Sequence, residues 1–454
     1  MSDASTPDYA FYGDDFTGAT DTLAHLARAG LRTMLFFGPP DAARLDALGR
    51  FDAIGIAGAA RTMAPAEQQQ ELDQAGAAFA ALGVRVMHYK VCSTFDSAPQ
   101  TGSIGVAIRS LRKYCANPLV AIVGGQPNLR RYCVFGELYA AAGADDHANS
   151  IYRIDRHPTM SRHPVTPMNE ADLRVHLRHQ GVENIQSVDW RSYAAGDTAL
   201  LAEVDRRLES KPDALLFDVL DDSHLQAIGN VISRHATYDA PLLAVGASSV
   251  AQAYASASAS AFASLVDAPR LSRARGPVLL MAGSLSPLTE VQIAAAHSYL
   301  RVELDPLQMT GEDAANYLAA RVAAIVGPLR DGRNVLAFTT RRGAHEAGAG
   351  GALPQLAHAC AALLRQVVSA VKLHRVGIAG GDTSSIAVRA LGAWGLSYLA
   401  PLSAGVTVCR LHADRPALDG MEIMLKGGQM GDADLFEQLI AGYGAEARNE
   451  IVKA

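Results

Sequence analysis

The sequence predicts an α/β protein of two domains, each a largely parallel sheet flanked by helices, with a ligand cleft between the domains. Three observations carry that expectation. Short apolar runs alternate with helical periods in βαβαβ order from Tyr9 to Lys90. Each run ends in a glycine-rich or polar turn, the place where open α/β sheets bind ligands. The pattern then restarts at Val278 after an Ala/Ser run and a basic SRARGP, which divides the 454 residues into 1–273 and 274–454.

The first element is YAFYGDDFTGATD, Tyr9 to Asp21. Tyr9 to Tyr12 form a strand and Gly13 to Gly18 a tight turn. Ala19, Leu23, Leu26 and Ala27 share one face of the following helix. Asp14 and Asp15 in that turn either cap the helix and solvate the loop, or do chemistry, one accepting a proton and the other positioning a hydroxyl or cation. Strands follow at Thr33–Phe37 and Ala53–Ala57, the latter leading to Arg61, and then a helix over Pro65–Leu82. Val84–Tyr89 is a strand that delivers Lys90 into a loop holding Ser93, Thr94, Asp96 and Ser97. Gly102, Ser103 and Gly105 open the next helix. A lysine, several hydroxyls and free backbone N–H groups together suit a small anion, against the plainer alternative of a capped loop with a solvated lysine. Leu119–Val123 is a strand ending in Gly124-Gly125-Gln126-Pro127. Residues 150–168 carry three prolines, three arginines and two histidines, which forbids a long helix and leaves a loop arching over a site or a rigid surface connection. Asp213–Val219 and Leu242–Val245 are the remaining strands of this half.

The second half opens with the strand Val278–Ala282 and the loop Gly283-Ser284-Leu285-Ser286-Pro287. Val335–Thr339 is a strand and Leu353–Val371 a long helix. Val376–Ala379 then runs into Gly380-Gly381-Asp382-Thr383-Ser384-Ser385 and another helix. Paired glycines let backbone N–H groups approach an anion, and the helix dipole adds to them. Ile423–Leu425 carries Lys426-Gly427-Gly428, a third glycine-rich strand end. One such loop is an ordinary strand–helix turn, whereas several at strand ends of one domain suit a polyphosphate. No G-x-x-x-x-G-K-[ST] occurs, nor a dinucleotide G-x-G-x-x-G opening a helix, so the chain is neither a P-loop enzyme nor a dinucleotide binder.

Composition narrows the class further. A net charge of -6 argues against a nucleic-acid binder. No apolar run is long enough to span a bilayer, and the polar N-terminus lacks a signal-peptide core, so a cytoplasmic protein is expected. The five scattered cysteines form no C-x-x-C pair. His176 and His179 are expected on a surface helix, with no carboxylate and third ligand at metal spacing. A homodimer is left open. The balance of evidence is a small organic acid on the first domain and a nucleotide polyphosphate on the second.

The stretches GDDFTGATD (13–21), KVCSTFDS (90–97), GSIG (102–105), RHPVTPM (162–168), GSLSP (283–287), GGDTSS (380–385) and LKGGQMGD (425–432) occur in the order found in the four-carbon acid sugar kinases, and the chain resembles that family over nearly its whole length. The resemblance implies an ATP- and Mg²⁺-dependent kinase that phosphorylates a terminal hydroxyl of a small sugar acid, a 3-oxo-tetronate first and the branched 3-oxo-isoapionate as the alternative. By position it implies that Asp14 and Asp15 are the acidic pair, with Asp15 as base and Asp14 as alternate. Arg61, Lys90, Ser93 and Thr94 would bind the acid, and Ser284, Gly380, Gly381, Asp382, Thr383 and Gly428 the nucleotide. KVCSTFDS is nearer the 3-oxo-tetronate type than the threonate type, which carries an aspartate where Cys92 stands. Family members commonly read GGET and LKSGNFG, where this chain has Asp382, Gly427, Gln429 and Met430. Two other classes stay open on the residues alone: a lyase using Lys90 as a Schiff-base amine, and a sugar-acid sensor without transfer.

Overall fold

The computed structural model describes residues 6–142, 150–163, 165–258, 269–283, 286–340, 352–428 and 430–442. Contacts divide the chain into two compact units, Met1–Val266 and Asp267–Ala454.

In the first unit the main strands are β1 (Tyr9–Gly13), β2 (Thr33–Phe36), β3 (Ala53–Ala57), β4 (Val86–Lys90) and β5 (Val120–Val123). A small antiparallel sheet follows, made of β6 (Arg131–Val134), β7 (Glu137–Ala141) and β8 (Ile151–Arg153). Then come β9 (Ile185–Val188), β10 (Ala214–Phe217) and β11 (Leu242–Gly246). The main sheet runs β2-β3-β1-β4-β11-β5-β10-β9 and is parallel throughout. Both faces are covered, so β1, β3, β4 and β11 are buried along their whole length, which is why they read as unbroken apolar runs. The chain passes from β3 on one side of β1 to β4 on the other. That reversal opens a crevice at the carboxyl edge of β1.

The helix Phe16–Arg28 shows how local sequence builds this edge. Asp15 is its N-cap, accepting a hydrogen bond from Gly18 N at 2.7 Å. Phe16, Ala19, Leu23 and Leu26 face the sheet and are fully buried. The helix stops at Ala29, where Gly30 takes a φ of 89°.

The small sheet is not visible in the apolar pattern because its strands are short and half-exposed. It is tied to the main sheet by buried Asp218, which accepts from the backbone N–H groups of Phe135 (2.6 Å) and Gly136 (3.0 Å). The proline-rich segment contributes β8 and two short 3-10 turns. Its Arg153 is neutralised by Asp155 at 2.7 Å, while its Thr166 hydroxyl lies 3.4 Å from Asp96. His176 departs from expectation. It is buried, not on the surface, and its Nε2 bonds Ser97 Oγ (2.8 Å) and Gln180 Nε2 (3.0 Å).

The second unit holds β12 (Val278–Ala282), β13 (Leu300–Leu304), β14 (Val335–Thr339), β15 (Arg375–Ala379), β16 (Ala393–Ser403), β17 (Val406–Ala413) and β18 (Glu422–Lys426). Their order is β13-β14-β12-β15-β18-β17-β16. The first five are parallel, and the β16–β17 hairpin is antiparallel. The apolar pattern assigns no strand between Leu391 and Met421. Register shifts at Ala393/Gly395, Tyr398/Ala400 and Pro401/Ser403 break the two-residue alternation that would reveal the hairpin.

Candidate active site

The first site is built by strands that end level with one another. Gly13 is in register with Ala57 and Lys90, Lys90 with Gly246, and Gly246 with Val123. The loops after these strands therefore open on the same edge. Asp14 N donates to Lys90 O (2.9 Å), and Arg61 N donates to Asp14 O (3.1 Å), so the backbone itself fastens three of the expected site residues.

Their side chains converge. Arg61 grips Asp14 with two bonds, Nε–Oδ2 at 3.2 Å and Nη2–Oδ1 at 3.0 Å, and the same Nη2 lies 2.7 Å from Asp15 Oδ2. Lys90 Nζ lies 3.6 Å from Asp15 Oδ1 and 4.0 Å from Asp14 Oδ1. Two carboxylates are thus matched by two cations. Lys90 reaches this position by crossing Gly18, where a Cβ would fall 1.6 Å from its Nζ.

The two aspartates differ in kind. Asp14 is buried, and burial raises its pKa against the pull of Arg61 and Lys90. Burial acts the same way on Asp15, but Arg61, Lys90 and the Gly18 N–H outweigh it and hold Asp15 at about 2. Asp15 also keeps more exposure, its side chain being 22% accessible against 6% for Asp14. Burial works against the Lys90 ammonium, yet Asp15 and Asp14 raise its pKa overall. A lysine held protonated in this way is a poor Schiff-base nucleophile.

The loop after Lys90 is shaped by Phe95, fully buried at a φ of 54°. Thr94 donates to Asp96 and to Cys92 Sγ (3.0 Å), so its hydroxyl is committed. Ser93 is half-buried with no hydrogen bond among the described residues.

The second unit repeats the level edge. Ala379 is in register with Ala282 and Lys426. Gly283 N donates to Ala379 O and Gly380 N to Lys426 O, both at 2.9 Å. Gly380 adopts a φ of 125° and opens the helix Gly381–Ala390 with no side-chain cap. A Cβ on Gly283 would meet Thr383 Oγ1 at 2.4 Å, and one on Gly381 would meet nothing within 4 Å. Gly428 O accepts from Ser286 and from Thr289 (3.3 Å), which fixes the third loop. Ser284 and the side chain of Asp382 lie outside the described residues.

Lys426 is the unusual member. It is buried and donates to Thr289 Oγ1 (3.1 Å) and to Gln292 Oε1, with the Phe436 ring 5.7 Å away. Burial without a carboxylate partner lowers its pKa to about 7.

The structure therefore brings together Asp14, Asp15, Arg61 and Lys90, sets Ser93 and Thr94 on the adjoining loop, and groups Gly380, Gly381, Thr383 and Gly428 separately in the second unit. Two residues given no role from the sequence stand at the same strand ends. Lys426 stands beside the glycines that drew attention. Arg131 follows the Gly124-Gly125 turn, and the turn was its only sequence signal.

Both halves of the chain match known domain families. Residues 9–254 match a sugar-binding N-terminal domain, and residues 279–436 match a nucleotide-binding C-terminal domain. A 3-oxo-isoapionate kinase of Paraburkholderia graminis is 37% identical, over 95% of this chain and 94% of that protein. A 3-oxo-tetronate kinase of Methylobacterium radiotolerans is 29% identical, over 93% and 96%. A solved Salmonella typhimurium LT2 structure shares the fold with a TM-score of 0.75 at 23% identity, covering 95% of this chain and 98% of that one. With both domain matches in chain order and a relative alike from end to end, the chain belongs to the four-carbon acid sugar kinase family.

Proposed function

We propose that the protein is a kinase that transfers the γ-phosphoryl group of ATP to a terminal hydroxyl of a 3-oxo sugar acid. The observation that carries this reading is the neutral knot of Asp14, Asp15, Arg61 and Lys90 at the carboxyl edge of the first unit's sheet. It is supported by the glycine loops of the second unit. Of the two acids, the branched 3-oxo-isoapionate is favoured by the greater likeness to the kinase named for it, and a linear 3-oxo-tetronate comes next.

Asp15 is the base. A base must first be within reach of the hydroxyl, and only then does its proton affinity matter. Asp14 is the stronger proton acceptor but is shut in beneath Arg61. Asp15 is accessible, and for a loose phosphoryl-transfer transition state its main task is to orient the hydroxyl. Arg61 and Lys90 hold that carboxylate still and offset charge developing on the transferred group. Gly381, Thr383 and Gly428 would hold the phosphates through backbone N–H groups, beside Gly380, whose own N–H is taken by Lys426 O, with Ser284 and Asp382 assigned to the same site from sequence. Among the described residues no group of three His, Cys, Asp or Glu side chains is placed to hold a metal ion. A Mg²⁺ arriving with the nucleotide would supply charge neutralisation.

The test is ADP release over a panel of linear and branched 3-oxo sugar acids, with threonate and erythronate as controls. Release with one 3-oxo acid well above the controls is expected. No release with any acid, despite tight acid binding, would replace the kinase with a sensor.

Lys426 gives a second measurable outcome. At pH 8 its amine is largely neutral, and a polyphosphate at the neighbouring glycines favours the ammonium. Nucleotide binding should therefore take up a proton near pH 8, seen by calorimetry as a dependence on the buffer's ionisation enthalpy, and Lys426→Met should abolish it. In the free chain a lysine stays protonated to about pH 10.5, so between 7 and 10.5 the unfolded state binds the extra proton. Stability from this group consequently rises with pH across that window and is lost as pH falls through 7. Identical pH–stability curves for wild type and Lys426→Met would refute the assignment.

A further inference from the structure

We propose that Arg131 receives the carboxylate of the sugar acid, an assignment that rests on the sugar-acid reading above. The charges at the strand ends leave no cation to spare. Arg61 and Lys90 are already matched by Asp14 and Asp15, so an incoming carboxylate would meet a neutral knot with two repelling carboxylates in it. Arg131 is a neighbouring cation with no carboxylate partner among the described residues.

Its position follows from the register. β5 ends level with β11, and β11 with β4, so the turn after Val123 opens on the edge that carries Lys90. Arg131 begins β6 just beyond that turn. Its backbone is pinned by a reciprocal pair with Gln126, N–O distances of 2.8 and 3.1 Å. Nη1 donates to Leu129 O at 2.6 Å, which fixes the plane of the guanidinium. Nε is shielded from solvent and has no hydrogen-bond partner. No carboxylate pairs with this side chain among the described residues.

Cys92 links the groups. It lies within electrostatic reach of Arg131, and also of Arg61, Lys90 and Asp15. The Arg131 guanidinium therefore stands on the same strand-end edge as the aspartates, reached from β5 while they follow β1. Burial lowers the pKa of Arg131, but a guanidinium keeps its charge throughout the working range of pH. A buried donor without an acceptor is rare in a native fold and calls for an occupant. The planar fork, with its side edge unused, matches a carboxylate better than a phosphate or a hydroxyl would. The acid would then bind with its carboxylate at Arg131 and its far hydroxyl at Asp15. That orientation selects the terminal hydroxyl for transfer.

The experiment pairs a change in the protein with a change in the ligand. The kcat/KM of wild type, Arg131→Lys and Arg131→Met is measured with the accepted acid and with its carboxamide, alongside the KM for ATP and thermal melts. Arg131→Met should lower kcat/KM for the acid by about 100-fold and change the carboxamide value less than threefold. Arg131→Lys should recover part of the loss, and the KM for ATP should hold. If acid and carboxamide fall together, or neither falls, the assignment is overturned. Calorimetry of the acid alone keeps the question separate from catalysis. Acid that binds wild type but not a folded Arg131→Met chain supports the proposal even where no ADP is released, and equal binding to both refutes it.

Discussion

Asp15→Asn is expected to lower kcat by roughly 10²–10⁴-fold while leaving the KM for ATP unchanged. The substitution is well placed to separate chemistry from folding. The amide oxygen of asparagine can still accept from Gly18 N, so the cap on Phe16–Arg28 survives. What disappears is the negative charge that aligns the acceptor hydroxyl. The pH profile adds a second reading of the same residue. Because Arg61 and Lys90 hold Asp15 at about 2, it stays ionised throughout the neutral range. Its contribution to stability is present above the ordinary aspartate range and lost only as pH falls toward 2. An acidic limb of kcat/KM near neutrality must then belong to another group and persist in the variant. Turnover by Asp15→Asn within a few-fold of wild type would remove Asp15 from the mechanism.

Arg61→Met is expected to cost about 3–5 kcal/mol of stability and to abolish turnover. Methionine fills much of the same space but leaves Asp14 buried with a single cation 4.0 Å away. An uncompensated carboxylate in that position is more expensive than the loss of the pair. The double variant Asp14→Asn with Arg61→Met should therefore melt nearer to wild type than Arg61→Met alone, yet remain inactive. A single variant that melts with the wild type would show that the knot contributes nothing to the fold.

The main sheets were legible because parallel strands buried on both faces leave continuous apolar text, and because each is followed by a turn rich in glycine or polar residues. β3, β12 and β14 fall on the expected residues, as does the helix Pro65–Leu82. The β16–β17 hairpin and the β6–β8 sheet were not legible, since bulges and half-exposure erase the alternation on which strand reading depends. The first cluster was legible for the same reason as the strands: Asp14, Asp15 and Arg61 follow obvious apolar runs, and Lys90 ends one. Arg131 was hidden because it begins a half-exposed strand, and nothing in its neighbourhood of sequence shows that its Nε is left without an acceptor. Lys426 is visible as a lysine after a strand, but its lowered pKa comes from burial in the folded unit, which sequence position does not show.

Lys90 owes its position to an omission at Gly18, where the ammonium sits in the volume that a methyl group would otherwise fill. A lysine on the surface explores many rotamers, and silencing that freedom is an entropic burden of about 2 kcal/mol. Here the motion is quenched when the polypeptide folds, well before any acid arrives. The cation meets its guest already immobilised, and the encounter needs no further ordering of that arm.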